Sequence, residues 1–216
     1  MKMPDAPVSY WENKILDWEK LRYSRLYFFY PVSWTVRSRL YTSIRIIKKR
    51  AQKDWTVLEL GCGSGILAAQ IFTEVGEYQG IDIASNAIEL AKRRNLKPNT
   101  AFLAGDVLGA TFEEKNLVIF LGLTDWLEPE QLRELFSKLR AKNLFFSFTD
   151  EKSVSRLNPY FYYRKIMDKS SQNFSYKARN YSEEEIQNLL KQFNYSFEIV
   201  KASTILNPGV LVWAKK

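Results

Sequence analysis

The sequence predicts an α/β fold: a doubly wound, mostly parallel seven-stranded sheet with an antiparallel C-terminal hairpin, preceded by an N-terminal helical cap. Three observations predict it. From Asp54 onward, short β-rich runs alternate with helical patterns, which is what a parallel sheet covered on both faces requires. The first of these runs is followed at once by a glycine-rich turn, Gly61-Cys62-Gly63-Ser64-Gly65. The last two runs are separated by Asn207-Pro208-Gly209, which favours a reversal over a crossover helix. With 216 residues, 46% of them apolar and 15% aromatic, the chain can bury one substantial core but is short for two.

Two helical stretches come first, over 10–21 and 33–53, separated near Pro31. In the second, Val36, Leu40, Ile44 and Ile47 form a narrow apolar stripe, and Arg37, Arg39, Arg45, Lys48, Lys49 and Lys53 cover most of the rest. Strands are expected at 55–60, 78–83, 100–106, 116–122 and 143–149. A crossover helix is expected over 66–72, and another over 85–94 with Ser85 at its N-cap. The helix over 129–140 has Pro129 in its first turn and Leu132, Leu135, Phe136 and Leu139 on one stripe. Ser182 and Glu185 stand in capping-box spacing at the start of a helix over 182–193, and the hairpin strands follow over 195–204 and 209–215. Residues 1–53 therefore read as a basic, aromatic helical extension. Residues 54–216 read as the α/β domain, with an insertion at 153–181.

Composition excludes several classes. A chain with one cysteine, Cys62, and no histidine cannot build an internal disulfide or a Cys/His zinc centre, so no metal site is expected. Pro4, Asp5 and Pro7 interrupt the segment where a signal peptide would be apolar, and no run of 18 apolar residues occurs later. A cytoplasmic protein is expected. The net charge of +8 has a location: residues 1–53 hold 12 Lys/Arg against 4 Asp/Glu, and the remaining 20 basic and 20 acidic residues cancel. An anionic partner or surface near the N-terminal segment, or plain solubility, accounts for such asymmetry.

At the carboxyl end of a first parallel strand, a glycine-rich turn lets a ligand approach the backbone and offers it unpaired N–H groups. A dinucleotide fingerprint would need its third glycine one residue later than Gly65, so the spacing favours another adenosyl ligand. Glu-Leu-Gly-Cys-Gly-Ser-Gly (59–65), Gly-Ile-Asp (80–82) ending the second strand and Gly-Asp-Val (105–107) ending the third resemble the class I (Rossmann-like) methyltransferases, which use S-adenosyl-L-methionine. The resemblance implies that Glu59 and the turn Gly61, Cys62, Gly63 and Gly65 surround the methionine moiety. It also implies that Asp82 takes the ribose hydroxyls, that Asp106 and the N–H of Val107 read the adenine, and that Ile83 packs on its face. An acidic residue 21 positions after Gly61 is where spacing alone would put a ribose.

The acceptor of the methyl group should sit beyond the fourth strand, where Gly122-Leu123-Thr124-Asp125 emerges. The Asn/Asp/Ser-Pro-Pro-aromatic motif of enzymes acting on nucleobase or glutamine amines is not there. Without histidine, a hydroxyl acceptor has to lose its proton to Asp125, Glu128, a tyrosine or water, whereas a carboxylate acceptor needs no base. Asp125 is the first candidate for base or acceptor orientation, and it could equally cap the next turn. Two aromatic and basic segments, Tyr23 to Tyr30 and Tyr160 to Lys165, could wall the acceptor pocket or simply cap the sheet. The C-terminal half, through its Gly-Leu-x-Asp, aromatic-basic insertion and Tyr-Ser-x-Glu-x-Ile helix start, resembles magnesium-protoporphyrin O-methyltransferases and relatives acting on small molecules.

The leading expectation is methyl transfer to oxygen of a small or lipid-linked acceptor. Three alternatives stay open: an RNA methyltransferase using the basic helix, the same helix lying on an anionic membrane as a peripheral contact, and a non-catalytic module that only binds S-adenosylmethionine. Neither the acceptor nor the oligomeric state is legible.

Overall fold

The computed structural model describes residues 6–23, 31–153, 178–201 and 209–216. Seven strands, β1 (Thr56–Leu60), β2 (Glu77–Asp82), β3 (Thr100–Ala104), β4 (Lys115–Leu121), β5 (Ala141–Thr149), β6 (Ser196–Lys201) and β7 (Gly209–Lys215), form one sheet in the order β3-β2-β1-β4-β5-β7-β6. All pairs from β3 to β5 are parallel, and β7 runs antiparallel to both of its neighbours. The sheet and its reversed C-terminal hairpin are those expected from the sequence. Strand order turns back at β1, which lies between β2 and β4; in open α/β sheets, ligands bind at such a switch point.

The central strands are covered on both faces and so read as continuous apolar runs: residues 57–60 of β1 and 117–120 of β4 are buried without alternation. On one face, α5 (Pro129–Lys138) and α6 (Glu183–Gln192) pack Leu132, Leu135, Phe136, Ile186 and Leu190 against Leu58, Val118, Phe146 and Val212. On the other, α2 (Pro31–Arg50), the short α3 (Ala68–Ile71) and α4 (Ser85–Arg94) pack Leu40, Ile47, Ile71, Ile88 and Ala91 against Val57, Ile119 and Phe145. Upstream of α2, α1 (Ala6–Tyr23) contacts both α2 and α4.

Several local expectations shift. The 66–72 helix shortens to α3 plus a 3-10 turn over Phe72–Glu74, because its N-cap is Leu67, whose side chain cannot accept from the first amides. Ser85 is the first helical residue of α4 and not its cap; Ala84 takes that place, and the Ser85 hydroxyl is bonded to Glu12 of α1. Ser182 and Glu185 form the capping box as spaced, and Glu128 with Gln131 forms a second one ahead of α5. The strand expected over 100–106 ends at Ala104; the one expected over 195–204 is β6 as far as Lys201, and 202–204 lie outside the described residues. Most of the 153–181 insertion, the aromatic stretch 24–30 and the Asn207-Pro208 turn lie outside the described residues.

Candidate cofactor and acceptor site

Glu59 stands one residue before the end of β1, 4% exposed, and accepts a hydrogen bond from the Tyr78 hydroxyl of β2. Burial raises its carboxyl to about 8; the Tyr78 bond opposes that shift, and the nearby charges of Asp82 and Glu19 add to it. Gly61, Gly63 and Gly65 all adopt positive φ (+71°, +52° and +68°), so the turn has a reason for each glycine. The N–H groups of Gly61 and Cys62 both donate to Ile81 O, at 2.8 and 3.1 Å, tying the turn to the end of β2. Cys62 is buried, its thiol pushed well up by desolvation, and it packs into the space left by Gly80, where a Cβ would lie 2.8 Å from its Sγ. It fills the loop.

Asp82, the last residue of β2, accepts from Gly63 N at 2.8 Å through one oxygen and from Ala84 N at 2.9 Å through the other. Desolvation raises its proton affinity, while the backbone donors oppose that rise. Next door, Gly105 N donates to Asp82 O at 2.9 Å, which places the Asp106 loop beside the β2 terminus. Asp106 accepts from Leu108 N at 2.9 Å, Ile83 is half-buried, and the Val107 side chain belongs to the core. The structure thus gathers Glu59, the glycine turn, Asp82, Ile83 and the Asp106-Val107 loop at the carboxyl ends of β1, β2 and β3.

Asp125 lies in the 3-10 turn Thr124–Trp126 that follows β4. It is 5% exposed, and its two carboxylate oxygens accept from Thr149 N at 2.8 Å and Thr149 Oγ1 at 2.7 Å. Its carbonyl accepts from Arg179 N at 2.6 Å. The residue ties the turn after β4 to the end of β5 and to the strand-like segment ahead of α6. Beside it the fully buried Thr124 Oγ1 makes no hydrogen bond among the described residues.

Four features of this region were not read from the sequence. Glu19 of α1 accepts from Ser64 N at 2.8 Å and from the Ser64 hydroxyl, and Arg94 donates to Ser64 O at 2.7 Å. Glu12, one heptad earlier, accepts from Ser85 N at 3.2 Å and from the Ser85 hydroxyl at the start of α4. Trp11 and Trp18 pack edge-on against each other and enclose Trp126 of the post-β4 turn, with Trp11 and Trp126 centroids 4.7 Å apart. Finally, Arg39 of α2 lies over Gly122 (φ +84°), where a Cβ would meet its Nη2 at 3.1 Å. Thus α1 crosses the same strand ends that carry the turn and the acids. The signal for α1 was present in the repeat of Trp and Glu at i and i+7, Trp11-Glu12 and Trp18-Glu19, which puts both pairs on neighbouring stripes of one helix.

Residues 57–142 match the family model described as a methyltransferase domain. The fold is similar to the crystal structure of magnesium protoporphyrin IX methyltransferase from Synechocystis PCC 6803 with bound SAH, with a TM-score of 0.74 at 16% identity, covering 97% of each chain. The stretch 57–142, from β1 to the start of β5, is similar to a methyltransferase domain. Among curated relatives, the chain is 29% identical over 146 residues to 2-phytyl-1,4-naphtoquinone methyltransferase of Nostoc punctiforme, covering 62% of this chain and 56% of that one. It is 30% identical over 108 residues to malonyl-[acyl-carrier protein] O-methyltransferase 1 of Ilyobacter polytropus, covering 48% of this chain and 40% of that one. The chain therefore spans about half the length of the curated relatives it matches.

Proposed function

We propose that the protein is an S-adenosylmethionine-dependent methyltransferase acting on oxygen of a small, ring-bearing or anionic acceptor. The observation that carries this reading is the pairing of the glycine turn with the β2 acid. Three positive-φ glycines lie at the end of β1, with Gly63 N held 2.8 Å from Asp82. The relatives named for a naphtoquinone, a malonyl-carrier protein and a protoporphyrin support a small acceptor, free or carrier-linked. A lipid-linked acceptor belongs to the same reading.

The residues fit the cofactor by chemistry. The donor's methionyl tail carries an ammonium and a carboxylate, its ribose two hydroxyls. Glu59 and the turn carbonyls suit the ammonium, Arg39 over Gly122 is the cation placed for the carboxylate, and Asp82 suits the ribose. Asp106 and the Val107 amide suit the adenine. The bound cofactor supplies an electrophilic methyl on a sulfonium. What the chain supplies is alignment and exclusion of water, since an in-line displacement gains most from a fixed attack geometry. The Trp11, Trp18 and Trp126 cluster and α1 close the site from above, beside the buried Thr124 hydroxyl, which makes no hydrogen bond among the described residues.

In this reading Asp125 is a tie and not a base, because Thr149 already engages both of its oxygens. A carboxylate or acidic enol acceptor, which needs no base, fits such a site best. The basic cap is partly spent within the fold: Lys48 pairs with Glu74 at 3.8 Å, and Arg50 pairs with Glu198 at 2.7 Å and stacks on Trp213. That argues against the RNA reading. The test uses methyl-labelled S-adenosylmethionine with a naphthoquinol, a malonyl thioester, protoporphyrin IX and total RNA as acceptors. Label in a small molecule supports the reading, and label in RNA alone overturns it.

A further inference from the structure

Helix α1 adds an acid to the site that no glycine-turn pattern contains. Consecutive amides of the turn each hold a carboxylate, Gly63 N that of Asp82 and Ser64 N that of Glu19, both at 2.8 Å. Glu59 lies close enough that both of these charges bear on it. Gly63 is what admits Glu19, because a Cβ there would collide with the Glu19 carboxylate. Among the described residues no lysine or arginine forms an ion pair with Glu19, Glu59 or Asp82; Arg94, which donates to Ser64, bears on Glu19 through its charge. Three carboxylates thus meet at the turn with the charge of Arg94 beside one of them, and burial favours protonation of these groups until a further cation arrives.

S-adenosylmethionine carries a sulfonium and an ammonium against one carboxylate, whereas S-adenosylhomocysteine, left after the methyl departs, has lost the sulfonium charge. We propose that Glu19 is a specificity-determining residue: its carboxylate, seated on Ser64 by α1, makes the closed site favour the sulfonium-bearing donor over the thioether product. This rests on reading the turn as the S-adenosylmethionine site. Its consequence is directional, since methyl transfer removes the charge that holds the ligand and so favours release of product.

Calorimetry with three ligands separates this from a structural role. The ligands are S-adenosylmethionine, sinefungin, which carries an ammonium where the sulfonium stands, and S-adenosylhomocysteine. Glu19→Gln keeps a side-chain oxygen for Ser64 N, and Glu12 with the Trp11, Trp18 and Trp126 cluster still holds α1 down. The substitution is expected to weaken the two cationic ligands by about fivefold or more and S-adenosylhomocysteine by less than about twofold. Glu12→Gln, which touches only the α4 anchor, is expected to move all three alike. Equal weakening of all three by Glu19→Gln, or of none, overturns the inference while leaving the cofactor site standing. No uptake of any ligand by the folded wild-type protein overturns the site itself, and the inference with it.

Discussion

At the scale of single residues, Glu59 is the buried acid of the candidate site whose proton is held firmly enough to follow by titration. Its carboxyl is held at about 8 when folded, against 4.5 for the ordinary group, because burial disfavours its charge. The folded protein thus binds this proton more tightly than the unfolded chain does. The stability it contributes is fully present below about pH 4.5 and is lost as pH rises toward 8, a swing of several kcal/mol, so ligand-free thermal melts should fall across that window. A cationic ligand favours the ionised form. Uptake of S-adenosylmethionine should therefore release a proton near neutral pH and tighten between pH 6 and 8, read by calorimetry in buffers of different ionisation enthalpy. Tyr78→Phe removes the bond that opposes the shift and should move this dependence to higher pH. Gly63 makes a second prediction: Gly63→Ala forces a side chain to φ +52° and into Glu19, and should cut S-adenosylhomocysteine affinity about tenfold or more, part of it recovered by adding Glu19→Ala.

At the scale of elements, the turn after β4 is held by Asp125. Truncating it leaves the Thr149 amide and hydroxyl without their partner, so Asp125→Ala should cost about 2–4 kcal/mol in denaturant unfolding, while Asp125→Asn, which keeps one acceptor, should cost less. If Asp125 were the base, Asp125→Asn would abolish turnover with the fold intact; methylation of a carboxylate acceptor should instead persist. The capping box of α6 is a smaller term, about 1 kcal/mol lost in Ser182→Ala. These elements differ in how far the sequence announces them. Ser182 with Glu185, and the leucine stripe of α5, are local patterns whose cause lies within one turn of helix. Helix α1 is legible as a helix but not as a roof, because its inward face presents Glu12 and Glu19 beside Trp11 and Trp18, and hydropathy alone treats carboxylates as solvent-facing. Ser85 reads as a cap for the same reason: only the long-range contact with Glu12 says otherwise.

At the scale of the molecule, the sheet was legible because each parallel strand is a short apolar run with a helix behind it, and the acids at strand ends follow from the topology. Glu59, Asp82 and Asp106 are far apart in sequence, yet parallel strands must all end on one edge. What the sequence could not give is which cations of the basic cap turn inward. Arg39 and Arg50 belong to one charged surface when read along α2, and the fold sends one over Gly122 and the other onto Trp213. Two cations of the basic N-terminal quarter thus pack within the fold. An adenosyl ligand is proposed to lie across the ends of β1 and β2 under α1. A crystal structure with S-adenosylhomocysteine tests it most directly. The ribose is expected on Asp82, the methionyl tail at the glycine turn between Glu59 and Arg39, and α1 closed above; a ligand bound elsewhere, or with Asp82 facing no ribose hydroxyl, overturns the assignment.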